Sequence, residues 1–268
     1  MPISTSSPTH PDVFSYNSEA WDRQAAQACE WSLPVSSEVV AAARAGRWSV
    51  RLTPGEMPAS WLGDVRNLRI LCLASGGGQQ APVLAAAGAA VTVLDASEKQ
   101  LEQDRMVAQR DGLTLATIQG DMRDLSAFAD ESFDLIFNPI SNLYVPDVKP
   151  VWRECARVLK RGGKLLASFY NPVVFVGDRH PEYAEQGMIR PCYKIPYSDL
   201  DDMPEAALQQ KLARGEALVF GHSLADQIGA QLDAGLLMSG YYEDFQPNPR
   251  FVIDRFLPTF IATCAIKP

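Results

Sequence analysis

The chain of 268 residues predicts an α/β fold: a doubly wound, mostly parallel sheet of seven strands with a C-terminal antiparallel hairpin. Three observations carry this. From Asn67 onward, short apolar runs alternate with helical segments, the pattern of a parallel sheet covered on both faces. A glycine cluster, Gly76-Gly77-Gly78, follows the first of those runs. The last two runs are joined by a link containing Gln246-Pro247-Asn248-Pro249. That link is too short and too rich in proline for a crossover helix, so the two strands pair antiparallel.

The elements follow in order. Residues 1–12 are rich in Ser, Thr and Pro and read as a loose tail. Asn17 to Arg23 is a polar cap leading into a helix, and Ser36-Ser37-Glu38 starts a second helix that Gly46 ends. With the turn-rich stretch from Leu52 to Pro58, residues 1–66 form an N-terminal helical cap segment. The core, residues 67–268, opens with strand Arg69–Leu73, then a helix from Pro82 to Ala87 ended by Gly88. Strand Val91–Leu94 leads to a helix from Ser97 to Arg110, where Ser97 and Gln100 read as an S-x-x-Q capping box. Strands follow at Leu115–Ile118 and Phe133–Phe137. An amphipathic helix from Val151 to Lys160, ended by Gly162, precedes a fifth strand, Lys164–Phe169. Residues 171–221 break the rhythm with Pro, Tyr and charge, and read as an inserted cap subregion of a single domain. Ser223 to Asp233 is helical, and Leu236–Glu243 and Phe256–Ile266 are the last two strands.

Composition excludes several classes. Lys and Arg number 24 against 32 Asp and Glu, a net charge of −8, which opposes non-specific nucleic-acid binding. Cys29, Cys72, Cys155, Cys192 and Cys264 form no C-x-x-C pair, and His10, His180 and His222 are far apart, so neither a disulfide framework nor a metal site is expected. No apolar run reaches membrane-spanning length, and no signal peptide is read. A cytoplasmic protein without a membrane or nucleic-acid partner is expected, as a monomer or homodimer.

In a doubly wound sheet, ligands bind outside the carboxyl ends of the strands. After the first strand stands Ala74-Ser75-Gly76-Gly77-Gly78-Gln79-Gln80, where glycines permit a sharp turn and a close backbone approach. The helix start behind it offers N–H groups to an anion. After the second strand stands Asp95, placed to hold both hydroxyls of a ribose. Together they indicate a nucleoside-containing cofactor. The run from Gly76 to Ala81 satisfies G-x-G-x-x-A, which leaves a nicotinamide dinucleotide open. Three features favour S-adenosylmethionine. Gly120-Asp121-Met122 follows the third strand, where an acid can accept from an adenine amino group. Asn138-Pro139-Ile140-Ser141-Asn142 makes a polar turn after the fourth. The reversed hairpin at the end is foreign to dinucleotide sheets.

These residues resemble a class I S-adenosylmethionine-dependent methyltransferase, of the methyltransferase type 11 kind with its Rossmann-like fold. The resemblance is strongest from Leu68 to Ser168 and includes Val158-Leu159-Lys160-Arg161-Gly162-Gly163 before the fifth strand. It implies that Ser75, Gly76, Gly77, Gly78 and Gln79 hold the methionine part. Asp95, with Ala96 and Gln100 beside it, would hold the ribose, and Asp121 the adenine with Met122 alongside. Asn138 is placed at the methyl-transfer point, and Tyr16 and Trp21 on an N-terminal segment that closes over the cofactor, where an aromatic face attracts a sulfonium. The product would be S-adenosylhomocysteine, with no metal. Two positions depart from the pattern: Cys72 stands where an acidic residue is frequent, and Ala74 where the first glycine is.

For the acceptor, His222, Tyr144 and Tyr170 are candidate bases. Asn142 and Asn171 follow strands four and five and suit acceptor contacts, and Tyr193, Tyr197 and Tyr242 are candidate pocket walls. The expected activity is methyl transfer by in-line displacement to a small-molecule acceptor. The N-terminal segment and residues 171–221 would roof the pocket. A nucleic-acid or protein methyltransferase and a non-catalytic S-adenosylmethionine-binding protein remain the competing readings; Asn138-Pro139 begins an N-P-P-Y-like turn that Ile140 and Ser141 break.

Overall fold

Why these segments become strands is visible in their side-chain alternation. In β1 (Arg69–Leu73), Ile70 and Cys72 point to one face of the sheet and Leu71 and Leu73 to the other, and all four are fully buried. A strand buried on both faces needs apolar residues at every position, which is why the run is continuous. The computed structural model describes residues 11–177 and 180–268. Residues 1–10, which include His10 and most of the expected tail, lie outside the described residues.

The N-terminal part carries α1 (Val13–Ala26), α2 (Ser37–Arg44) and α3 (Ala59–Leu62). The core then runs β1, α4 (Gln80–Ala86), β2 (Ala90–Asp95), α5 (Glu98–Asp111), β3 (Leu115–Gln119), β4 (Phe133–Asn138), α6 (Lys149–Val158) and β5 (Leu159–Tyr170). After β5 come α7 (Pro181–Glu185), β6 (Tyr197–Ser198), α8 (Asp199–Asp202), α9 (Glu205–Ala213) and β7 (Phe220–Gly221). The chain ends with α10 (Ala230–Asp233), β8 (Leu237–Asp244) and β9 (Phe260–Ile266).

The main sheet has seven strands in the order β3-β2-β1-β4-β5-β9-β8. The first five are parallel, with Cys72 between Val93 of β2 and Phe137 of β4. β9 is antiparallel to both β5 and β8, as expected of the last pair. The order reverses between β1 and β4, so a crevice opens there at the strands' carboxyl ends. Side chains from α2, α4 and α5 pack on one face, centred on Val40, Leu84 and Leu101. On the other face, α6 buries Val151, Trp152 and Cys155 beside Ala230 of α10.

Three local expectations are corrected. The first helix begins at Val13, not after Asn17: Asp12 caps it by accepting from the Ser15 N–H, which leaves Asn17 and Ser18 inside the helix and buried. The box at Ser97 is half made. Ser97 accepts from the Gln100 N–H, but the Gln100 side chain donates to Ser32, and Asp95 takes the Ser97 N–H instead. Within 171–221, read as an irregular insertion, β6 and β7 make a two-stranded antiparallel pair.

Candidate active site

A cavity of about 690 Å³ lies at the carboxyl ends of β1, β2, β3 and β4, within the size range of small-molecule sites. Its floor is the glycine turn. Ala74 (φ 46°), Gly77 (φ 112°) and Gly78 (φ 72°) are all left-handed there, which glycine adopts without strain. A Cβ on Gly76 would sit 2.8 Å from Gln100 Cβ and 3.1 Å from Asp95 Oδ2. The turn is therefore pressed against the start of α5.

The three glycine N–H groups point into the protein. Gly76 donates to Asp95 Oδ2 at 2.9 Å, Gly77 to the Gln100 carbonyl at 3.0 Å, and Gly78 to Asp104 Oδ1 at 3.2 Å. None of the three is left for an anion. Gly77 and Gly78 accordingly lie behind the cavity wall, whereas Ser75, Gly76 and Gln79 line it. Gln79 also donates to the carbonyls of Glu30 and Leu33, drawing residues 30–33 over the turn.

Asp95 lines the cavity with each carboxylate oxygen engaged once, by the Gly76 and Ser97 N–H groups. A carboxylate accepts about four hydrogen bonds, so capacity remains on both oxygens for two hydroxyls. Burial raises its pKa against the lowering by those N–H donors. Ala96 and Gln100 line the cavity beside it. The Ala96 carbonyl is taken by Ser18 and Gln119, and Gln100 Oε1 is buried without a partner, as is Ser75 Oγ. Met122 and Asp121 complete this end of the wall. Arg123 holds both oxygens of Asp121 through its Nε and Nη2, and its own backbone N–H donates to Oδ1. An adenine contact at Asp121 therefore competes with Arg123.

The remaining candidates separate sharply. Trp21 lines the cavity and meets Tyr144 edge-on, with centroids 5.2 Å apart. Tyr16, on the same helix, faces away: its hydroxyl donates to the Glu216 carbonyl at 3.1 Å and it packs against the cluster of Leu208, Leu218 and Phe220. Asn138 lies under the floor, fully buried, donating to the Leu73 carbonyl and to Ser141. Asn142 exchanges amide hydrogen bonds with Gln227, and its carbonyl meets His222 Nε2 at 3.1 Å. Both are buried in that network and neither is on the cavity wall. Burial lowers the His222 pKa and raises that of Tyr144. Tyr144 does line the cavity, as a neutral phenol. Tyr170 lines it too, its ring tilted at 34° to Phe260 and its hydroxyl bonded to Arg250. Asn171 instead caps the turn of residues 172–175. Tyr193 and Tyr197 pack among Phe175 and Val174, and Tyr242 against Trp61.

Sequence reasoning missed Arg51, Thr53, Glu30, Trp31, Arg123 and Arg250, all on the wall. They sit on loops with no periodicity to mark them. It also missed Asp104 beneath the floor, whose only cue is its spacing from Ser97 and Gln100 on α5. Among the described residues, none from 171–221 lines the cavity. That stretch stands behind α1 instead, through Leu208, Leu218 and Phe220. Among the described residues there is no cluster of three metal-ligating side chains, and no helix is long and apolar enough to cross a membrane.

The comparisons agree with this geometry. Residues 71–167 match the methyltransferase domain family. The methyltransferase YbaJ of Bacillus subtilis (strain 168) is 50% identical over 256 residues, spanning 95% of this chain and 98% of its own. A ubiquinone biosynthesis O-methyltransferase of Xanthomonas oryzae pv. oryzae (strain PXO99A) is 35% identical over 113 residues, 40% of this chain and 45% of its own. A solved S-adenosylmethionine-dependent methyltransferase from Mesorhizobium loti shares the fold, at 22% identity and a TM-score of 0.60 over 77% of this chain and 94% of its own. S-adenosylmethionine itself suits the residues present: Asp95 keeps acceptor capacity, and Ser75 Oγ and Gln100 Oε1 are buried and unpartnered at the glycine turn. The chain belongs to the S-adenosylmethionine-dependent methyltransferases.

Proposed function

We propose that this enzyme methylates a small-molecule acceptor inside a roofed pocket, by in-line displacement and without a protein base of perturbed pKa. The observation that supports it is the construction of the cavity's walls. Beyond the strand ends, they come from Phe14 and Trp21 of α1, Trp31, residues 51–54, and Gln246, Pro247 and Arg250. Walls on several sides suit an acceptor that enters whole and oppose a duplex or a folded protein surface. The part lined by Ile140, Tyr144, Tyr170 and Phe260 suits a planar or partly apolar acceptor.

The residues divide the work. Asp95, with Ser75, Gln79 and Gln100, would hold S-adenosylmethionine, which supplies an electrophilic methyl carbon on a sulfonium. Residues 30–33 and Trp21 exclude water over that end. Tyr144 and Tyr170 orient the acceptor with their rings, and Trp21 fixes Tyr144 edge-on. Positioning of reacting atoms about 3–3.5 Å apart is then the main contribution to rate. Asn142 and His222 act from below, holding the turn that carries Tyr144.

Calorimetric titration with S-adenosylmethionine, S-adenosylhomocysteine and NAD(H) tests the cofactor. Micromolar binding of the two sulfur nucleosides, lost in Asp95→Ala, is expected. Binding of NAD(H) alone would overturn the reading. A methyl-transfer screen of phenols, amines and electron-rich rings against nucleic acids and peptides then tests the acceptor class.

A further inference from the structure

Two carboxyl groups grip the glycine turn, one at each end. Asp95 takes the Gly76 N–H and Asp104 takes the Gly78 N–H. Asp104 lies on α5, one turn beyond Gln100 and two beyond Ser97, and its side chain is 0% exposed. Its second oxygen, Oδ2, has no hydrogen-bond partner. A carboxyl group so placed costs stability that an apolar side chain of the same size would not. What it gives in return is the hydrogen bond to the Gly78 N–H.

Gly78 matters beyond itself. Its carbonyl accepts from the Val35 N–H at 2.9 Å, and a Cβ at Gly78 would stand 3.0 Å from Pro34 Cβ. The Gly78 peptide thus lies between α5 and the 30–35 segment, which brings Glu30 and Trp31 to the cavity wall.

We propose that Asp104 is a positioning residue for the cofactor turn, acting from α5 through the carboxyl oxygen that accepts the Gly78 N–H. It fixes the Gly78 end of the turn, and through it the segment that closes over the cofactor. This rests on the methyltransferase reading above.

The test is titration of S-adenosylhomocysteine into Asp104→Asn and Asp104→Leu, with amide hydrogen exchange at Gly78 and thermal melting of the ligand-free proteins. Asp104→Asn keeps an acceptor oxygen and should bind within about threefold of wild type. Asp104→Leu leaves the Gly78 N–H unpaired and should lose affinity on the order of 10- to 100-fold, with faster Gly78 exchange. Wild-type affinity and slow Gly78 exchange in Asp104→Leu would overturn the proposal, as would equal losses in Asp104→Asn and Asp104→Leu. If Asp104→Leu does not fold, Asp104→Ala decides by the same readings. A wild-type chain that binds no S-adenosylhomocysteine overturns the methyltransferase reading itself, and the proposal with it.

Discussion

Burial pushes the Asp104 carboxyl up to about 8, and the neighbouring Asp95 carboxylate adds to the shift. The other groups facing it are the Gly77 and Gly78 N–H groups and Arg105, which lower it, and the protonated thiol of Cys72. Arg105 does little, because its guanidinium is engaged by Glu98 and Thr117. An aspartate in an unfolded chain titrates near 3.9. Between about 4 and about 8, the folded protein therefore keeps a proton that the unfolded chain has lost. Asp104 makes stability fall as pH rises through that window, and level off above it. Replacing it by asparagine removes the effect. The stability of Asp104→Asn relative to wild type should rise with pH from 5 to 8, by at most about 1.4 kcal/mol per unit, and be flat above pH 9. Urea unfolding of both proteins at four pH values measures this. A difference that stays constant with pH would mean that Asp104 is ionised throughout. His222 illustrates the opposite case at this scale. As a lone histidine between two elements it is legible in the sequence as a candidate base, yet its partner, the Asn142 carbonyl, lies 80 residues away in the chain. Nothing local to residues 220–224 states that the ring is buried.

Elements were legible in proportion to how far their own residues decide them. The parallel strands centre on the apolar runs expected of them, but β5 starts at Leu159, where the helix before it was expected to run on to Lys160 and end at Gly162. The antiparallel end of the sheet followed from the proline-rich link, and β8 and β9 pair accordingly. The start of α1 was misplaced because Asn17 and Ser18 look like capping residues. Both instead turn inward, to the Leu218 and Tyr144 backbone and to the Ala96 carbonyl. Tertiary partners of this kind override local preference. β6 and β7 are two residues each and carry no period to detect. The loop at residues 51–55 was equally silent, although Arg51, Leu52, Thr53 and Pro54 line the cavity. Its conformation is imposed from outside. Asp244, at the end of β8, accepts from Thr53 Oγ1 at 2.8 Å and from the Gly55 N–H at 2.6 Å. Ser168 of β5 donates to the Leu52 carbonyl at 2.5 Å. Asp244→Ala leaves a half-buried N–H and the Thr53 hydroxyl without this acceptor. It should cost about 1–3 kcal/mol and expose residues 51–58 to protease. Urea unfolding and limited proteolysis check both. Unchanged cleavage at this loop would show that Ser168 and Tyr242 suffice to hold it.

At the scale of the whole molecule, one side chain joins three parts far apart in sequence. Asn17 of α1 donates to the Tyr144 carbonyl at 2.9 Å, in the turn after β4, and to the Leu218 carbonyl at 3.0 Å. Its Oδ1 accepts from the Leu218 N–H at 2.8 Å. The wall of the cavity formed by Phe14 and Trp21 is thus fastened to the strand-four turn on one side and to the end of the 171–221 stretch on the other. Tyr16 adds to the second attachment through Glu216. Asp22 ties the far end of α1 to α5 by accepting from Ser97 Oγ and the Lys99 N–H. Asn17→Ala removes three hydrogen bonds that water cannot replace in a side chain 4% exposed, leaving the Leu218 N–H and C=O unpaired. The core sheet does not depend on them. The substitution should therefore loosen α1 and residues 213–221 together while β1–β5 keep their protection, which amide hydrogen exchange resolves segment by segment. Affinity for S-adenosylhomocysteine should fall, because ordering the wall then has to be supplied by binding. Added S-adenosylhomocysteine should restore protection to both segments at once. Exchange that speeds up in α1 alone would mean that residues 171–221 stand independently of the cavity wall. They would then have no part in closing it.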